Sequence, residues 1–151
     1  MKNGFSFIEV MIAVAIVGVL AVLGFSHLAA VNERQALALD AEKVLSVLAT
    51  ARGQTLAAKD GFSYGVHFED RKIVSFRGAS YSAGDTNNRT FTLHDAVHLA
   101  NTALTGGGAE VTFNKLTGAT AQSGTLTLAL LRDPSLTKVI TVFATGVAQS
   151  N

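Results

Sequence analysis

The chain has 151 residues, 48% apolar and 15% charged, enough for one modest domain with a buried core and one appendage. Its 12 basic and 11 acidic side chains give a formal charge of +1, so no electrostatic surplus calls for a polyanionic partner, and nucleic acid is disfavoured. The absence of cysteine excludes disulfides, thiol nucleophiles and thiolate metal sites, and stability must come from packing.

The apolar excess lies before residue 32. Met1-Lys2-Asn3-Gly4 is a short, polar, basic leader, and from Val10 to Phe25 there is no charged residue. With Phe7, Ile8 and the run Leu28 to Val31, the stretch reaches the roughly 20 mostly apolar residues that span a bilayer. A secretory signal peptide would put its cleavage site near Leu28-Ala29-Ala30. Glu9 argues against that reading, because an ionisable group in an apolar segment costs about 2.5–3.5 kcal/mol and a discarded peptide gains nothing from it. A carboxylate there needs a partner. If the leader is cut after Gly4, the new α-amine of Phe5 is a cation roughly 6 Å of helical rise from Glu9. In a staggered neighbour the carboxylate of one subunit meets the amine of the next, and both charges are compensated. The same cut removes Lys2 and leaves 11 basic against 11 acidic side chains.

Gly4-Phe5-Ser6-Phe7-Ile8-Glu9-Val10, followed by the apolar run, resembles the prepilin signature of type IV pilins and type II secretion pseudopilins. The resemblance implies that a prepilin peptidase cuts between Gly4 and Phe5 and that the Phe5 amine is methylated. It also implies that Glu9 supports assembly and that Gly18 lies where assembled helices loosen. For Gly18 and Gly24, close helix packing is an equally good account, since small residues let backbones approach. Where many pilins have proline, this chain has Ser26.

From Asn32 charged and apolar residues interleave. Leu37, Ala41, Val44, Leu48, Ala51 and Thr55 recur at three- and four-residue spacing, predicting an amphipathic helix continuous with the first, from about Phe5 to Ala58. Glu33, Arg34, Asp40, Glu42 and Lys43 fall on its polar side, read as a solvated face. After Lys59-Asp60-Gly61 the period drops to two. Tyr64, Val66 and Phe68, then Ile73 and Phe76 beyond a Glu69-Asp70-Arg71 turn, predict a β-hairpin. Further strands are predicted at Arg89–Leu93, Val97–Leu99, Glu110–Leu116, Thr125–Leu131 and Lys138–Phe143, with loops at Ser80–Asn88 and Thr105–Gly108. The expected fold class is α+β: a long N-terminal helix, its first half transmembrane, packed on a mainly β head. The expected divisions are a leader (1–4), a membrane and filament-core half-helix (5–31), an amphipathic half-helix (32–58) and a head (59–151).

A second resemblance is to GspH/FimT-type minor pseudopilins. It rests on Ala51-Arg52-Gly53-Gln54, Val111-Thr112-Phe113-Asn114-Lys115-Leu116-Thr117-Gly118, Gly124-Thr125-Leu126-Thr127-Leu128, and Val139-Ile140-Thr141-Val142 before Gly146. An arginine usual after the final glycine is Val147 here.

Other constellations carry little. His94 and His98 lack the glutamate of a zincin, Gly106-Gly107-Gly108 lacks a P-loop lysine, and Asn88-Arg89-Thr90 is only a minimal glycosylation match. No catalytic set, cofactor site, metal site or small-molecule substrate is indicated. Some FimT-like subunits are associated with DNA uptake through basic residues near the C-terminus, but no basic residue follows Lys138; Arg71, Lys72 and Arg77 around the hairpin are the remaining candidates. The resemblances imply a structural minor pilin or pseudopilin, anchored by one pass in the inner membrane with its head outside the cytoplasm, and then incorporated in a filament. Its partners would be other pilins, the prepilin peptidase and the inner-membrane assembly platform. The alternatives are a DNA-binding minor pilin and a major pilin.

Overall fold

A computed structural model describes residues 6–151, with residues 22–30 described by their backbone alone. Helix α1 spans Phe7–Leu56. A short 3-10 turn follows at Lys59–Gly61. The strands are β1 (Tyr64–Glu69), β2 (Lys72–Arg77), β3 (Arg89–Thr92), β4 (Val97–Leu104), β5 (Glu110–Thr112), β6 (Gly124–Leu130), β7 (Thr137–Val142) and β8 (Ala148–Ser150). They form two four-stranded sheets, ordered β3-β2-β1-β5 and β4-β6-β7-β8, and every pairing is antiparallel. The fold is the α+β arrangement expected, a long N-terminal helix and a sheet-rich head.

The chain divides into two compact units, one ending at Glu33 and the other Arg34–Asn151. In the first, alanines and leucines favour helix and no proline interrupts it, while the many β-branched Val and Ile residues are weaker helix formers; the single proline of the chain is Pro134. Among the described residues no helix is long and apolar enough to cross a membrane.

In the second unit the 34–56 part of α1 supplies one wall of the core. Leu37, Ala41, Val44, Leu48, Ala51 and Thr55, the predicted stripe, are all buried, and Ala36 and Val47 join them. The apolar members of this set share one cluster with Val66, Phe68 and Ile73 of the first sheet and Leu126, Leu128, Ile140 and Val142 of the second. Full burial of each large side chain contributes about 1.5–3 kcal/mol. Thr55 is the polar member of the stripe. Its hydroxyl donates to the Ala51 carbonyl (2.9 Å) and accepts from the Tyr64 amide (2.9 Å), tying the last turn of α1 to the start of β1.

The helix stops at Leu56 rather than Ala58 because Ala58 is left-handed (φ 46°), as are Asp60 (φ 52°) and Gly61 (φ 73°), which redirect the chain into β1. The hairpin forms as expected, with Asp70 and Arg71 at the turn and Tyr64 opposite Arg77. Strand β4 runs five residues past the expected Leu99. Its register shifts between Leu99 and Asn101, so the buried positions change phase, Val97 before the shift and Leu104 after it, and the alternation in sequence is broken. Strand β5 ends at Thr112, short of the expected Leu116. Leu116 adopts φ 70°, and the Gly118 amide donates to the Asn114 carbonyl (2.9 Å), closing a turn there. Strand β8 was not expected: three residues are too few to show a period, and β7 alone defines it.

Candidate assembly site

The first turn of α1 begins at Ser6, whose carbonyl accepts from the amides of Glu9 (3.0 Å) and Val10 (3.3 Å). Glu9 therefore lies in the first turn, exposed, where the unpaired amides and the positive end of the helix dipole favour a carboxylate. Ser6 and Glu9 have the Ser-x-x-Glu spacing of a capping box, a local signal that gives Glu9 a role at its own helix start besides an intersubunit one. Gly18 has no atom within 4 Å of the place a Cβ would occupy, so the backbone is open to approach there. Gly4 and Phe5 lie outside the described residues, and so do the surroundings of Gly24, Ser26 and His27.

The apolar side chains of this segment are all exposed. Phe7, Ile8, Val10, Met11, Ile12, Val14, Ile16, Val17, Val19 and Leu20 are 49% to 80% exposed. At about 100° per residue they leave no sector of the helix surface wider than about 60° without an apolar group. A soluble surface helix keeps a polar face; one that is apolar all round requires apolar surroundings on every side. Ile12, Ala15, Ile16, Val19 and Leu20 line one shallow apolar hollow at the three- and four-residue spacing along which helices interlock.

Asp40 corrects the solvated-face reading of the second half-helix. It is buried, its Oδ1 accepts from Lys43 Nζ at 2.6 Å, and its Oδ2 accepts from the His94 amide at 2.6 Å. Lys43 also donates to the Thr92 carbonyl (3.0 Å). This pair clamps α1 to the connection between β3 and β4, which sequence spacing could not disclose because the partner lies 54 residues away.

A second junction joins Arg52, Gly118 and Gly146. The Arg52 Nε donates to the Gly118 carbonyl (3.1 Å), and a Cβ on Gly146 would lie 1.8 Å from that same oxygen. Gly146 has φ 78°, and the Thr120 amide donates to the Ala144 carbonyl (3.0 Å). Three stretches that carried the second resemblance therefore meet where two turns cross the helix, and glycine is required by close backbone approach.

The remaining sequence candidates disperse. His94 Nδ1 accepts from the Ala96 amide (3.1 Å) within a turn, and among the described residues no group of three potential metal ligands converges. Gly107 belongs to the turn after β4, its amide donating to the Leu104 carbonyl (3.0 Å). Arg71 donates to Asp95 (2.8 Å to the carbonyl) and Lys72 pairs with Glu69 (3.1 Å) at the hairpin turn. Arg77 is at the opposite end of β2, over the Phe62 ring at 4.4 Å, so the three basic residues do not gather.

Comparison with known proteins bears on both ends of the chain. The family of the prokaryotic N-terminal methylation motif matches residues 1–25. No curated protein sequence matches the chain. Two crystal forms of the type IV minor pilin FimU of Pseudomonas aeruginosa strain PAO1 have a similar fold, each at 14% sequence identity. One superposes with a TM-score of 0.60 over 79% of this chain and 90% of FimU, the other with 0.55 over 74% and 89%. The chain thus carries a prokaryotic N-terminal methylation motif over residues 1–25 and has a fold similar to that of the type IV minor pilin FimU.

Proposed function

We propose that the protein is a structural subunit of a type IV pilus or related pseudopilus, cut after Gly4, methylated at Phe5 and assembled through α1. The observation that carries this reading is the apolar surface of residues 7–20, exposed around the full circumference of a helix that buries little of it within its own chain. Before assembly lipid covers that surface, the uncharged run Val10 to Phe25 serving as a single inner-membrane pass with the head outside the cytoplasm. In the filament, neighbouring helices take the place of lipid. The division into leader, membrane half-helix, amphipathic half-helix and head belongs to the same proposal.

Glu9 sets the stagger by pairing with the Phe5 amine of a neighbour, in addition to favouring its own helix start. Gly18 gives the neighbour's backbone room. The prepilin peptidase and the assembly platform are the partners this route needs. A minor position is favoured by the likeness of the head to a minor pilin and by the GspH/FimT-like stretches that meet at Arg52, Gly118 and Gly146. Association, not turnover, is the activity.

The test is mass spectrometry of sheared filaments and of membranes, reading the N-terminal peptide and its amount relative to the principal subunit. A methylated Phe5 start in filaments at trace level is the expected result, and the same start at dominant level would make this the major pilin. An intact leader, or a start near Ala30, refutes the reading.

A further inference from the structure

Where α1 ends, the head carries a half-open cleft of about 100 Å³ whose lining includes Lys59, Asp60, Tyr64, Arg77, Asn87 and Arg89. The volume is well above the roughly 10–15 Å³ that one water needs, and it suits a group of a few heavy atoms. The sheet register explains why cations meet there. Tyr64 stands opposite Arg77 and Ser75 opposite Arg89, which puts these residues on the same side of the sheet as Val66, Phe68 and Ile73, the side facing the core. At this end of the sheet the cleft lies beside Gln54 in the last turns of α1, with Arg77 half-buried and Arg89 exposed in its lining.

The local charges are unbalanced toward cation. Among the described residues, neither Arg77, Arg89 nor Lys59 has a carboxylate within 4.0 Å. The Asp60 Oδ2 accepts from the Tyr64 hydroxyl (3.2 Å), and Asp85, near enough to feel the charge of Arg77, uses its Oδ1 to accept from the amide (2.8 Å) and side chain (2.7 Å) of Asn87. Arg77 is held by its face against Phe62, which leaves the in-plane N–H donors for another group. An inward charge on an edge strand can serve simply to block edge pairing. That accounts for Arg89 on β3, but β2 is an internal strand and Lys59 is on no strand, so it does not account for the cluster.

We propose that this cleft is a binding site for one compact oxyanion, a phosphate or carboxylate group, held by Arg77, Arg89 and Lys59. A guanidinium fork matches a pair of oxygens on either group, and charge-assisted bonds of this kind are the stronger ones. The proposal stands independently of the filament reading. Arg71 and Lys72, at the far end of the hairpin and engaged with Asp95 and Glu69, provide no track for a polyanion, so a single group is the ligand.

The experiment is a titration of the full chain, in zwitterionic detergent at low ionic strength, with inorganic phosphate and separately with acetate. Backbone amide shifts are followed by NMR, with chloride matching the ionic strength. Saturable shifts at Lys59, Tyr64, Arg77 and Arg89 are expected, with affinity reduced roughly tenfold or more in Arg89→Gln. Saturation by phosphate alone assigns the site to a phosphoryl group. Saturation by acetate alone assigns it to a carboxylate, the group another protein chain would offer, and saturation by both supports a site for either oxyanion. Unsaturable shifts with both anions overturn the proposal, as does an unchanged affinity in both Arg89→Gln and Lys59→Gln; each replaces an exposed side chain, so folding is retained and checked by the thermal midpoint.

Discussion

Replacing Asp40 with alanine tests whether the polar clamp between α1 and the β3–β4 connection stabilises the head. The carboxylate side chain is 3% exposed and accepts two short bonds, from Lys43 Nζ and the His94 amide, both 2.6 Å. Its removal leaves the His94 amide without its acceptor, a penalty of about 1–3 kcal/mol, and forfeits a charge-assisted bond, so the total is about 2–4 kcal/mol. Lys43 is 39% exposed and regains water when its partner is lost, so Lys43→Ala costs only about 0.5–1 kcal/mol. With no tryptophan in the chain, urea unfolding of the detergent-solubilised protein is followed through the fluorescence of Tyr64 and Tyr81. At an m value of about 2 kcal/mol/M, Asp40→Ala lowers the midpoint by about 1–2 M and Lys43→Ala by less than about 0.5 M. A loss below about 0.5 kcal/mol for Asp40→Ala, or a larger loss for Lys43→Ala, would refute the assignment of the clamp to the buried carboxylate.

Gly146→Ala forces a left-handed alanine whose Cβ meets the Gly118 oxygen, and destabilises the head by about 2–4 kcal/mol in the same assay. Gly53→Ala, in a helix with nothing within 4 Å of the new Cβ, stabilises it by about 0.5–1 kcal/mol; equal effects of the two would remove the argument from close approach. Glu9→Ala leaves membrane insertion intact and reduces recovery in sheared filaments at least tenfold, whereas normal incorporation would leave Glu9 only its role at the helix start. Burial, followed by the bond to Asp60 and that residue's charge, raises the Tyr64 phenol above the ordinary value of 10.0, opposed by Arg77 and Arg89. A raised pKa means the neutral phenol is the folded form, so this contribution is complete below pH 10 and is lost as pH rises through the folded-state value. Tyr64→Phe should flatten that alkaline decline, read as the urea midpoint against pH, and an unchanged slope would place the effect elsewhere.

Much of the fold was legible because its signals are local. The unbroken apolar run, the stripe from Leu37 to Thr55 and the alternation across Tyr64–Phe76 each express one element's own period, and the structure buries that stripe and forms that hairpin. The failures lie where the period is interrupted or too short. The register shift in β4 moves the apolar residues to the other parity, Leu116 turns the chain out of β5 with a positive φ, and β8 is a strand only by virtue of β7.

What the sequence by itself determined is the nature of the N-terminal segment: a run without charge after Gly4-Phe5 and Glu9, whose apolar groups are exposed in this chain. Only the tertiary structure decided which polar residues are structural and which are available. Asp40 looks solvated in the helical pattern and is buried because His94 brings a backbone amide to it; Arg77 and Arg89 look like parts of separate strands and line one cleft because antiparallel register sets them on one face beside the last turns of α1. The reason is range: hydrophobic period is written within one element, whereas the partner of a carboxylate or guanidinium is chosen by chain segments tens of residues away.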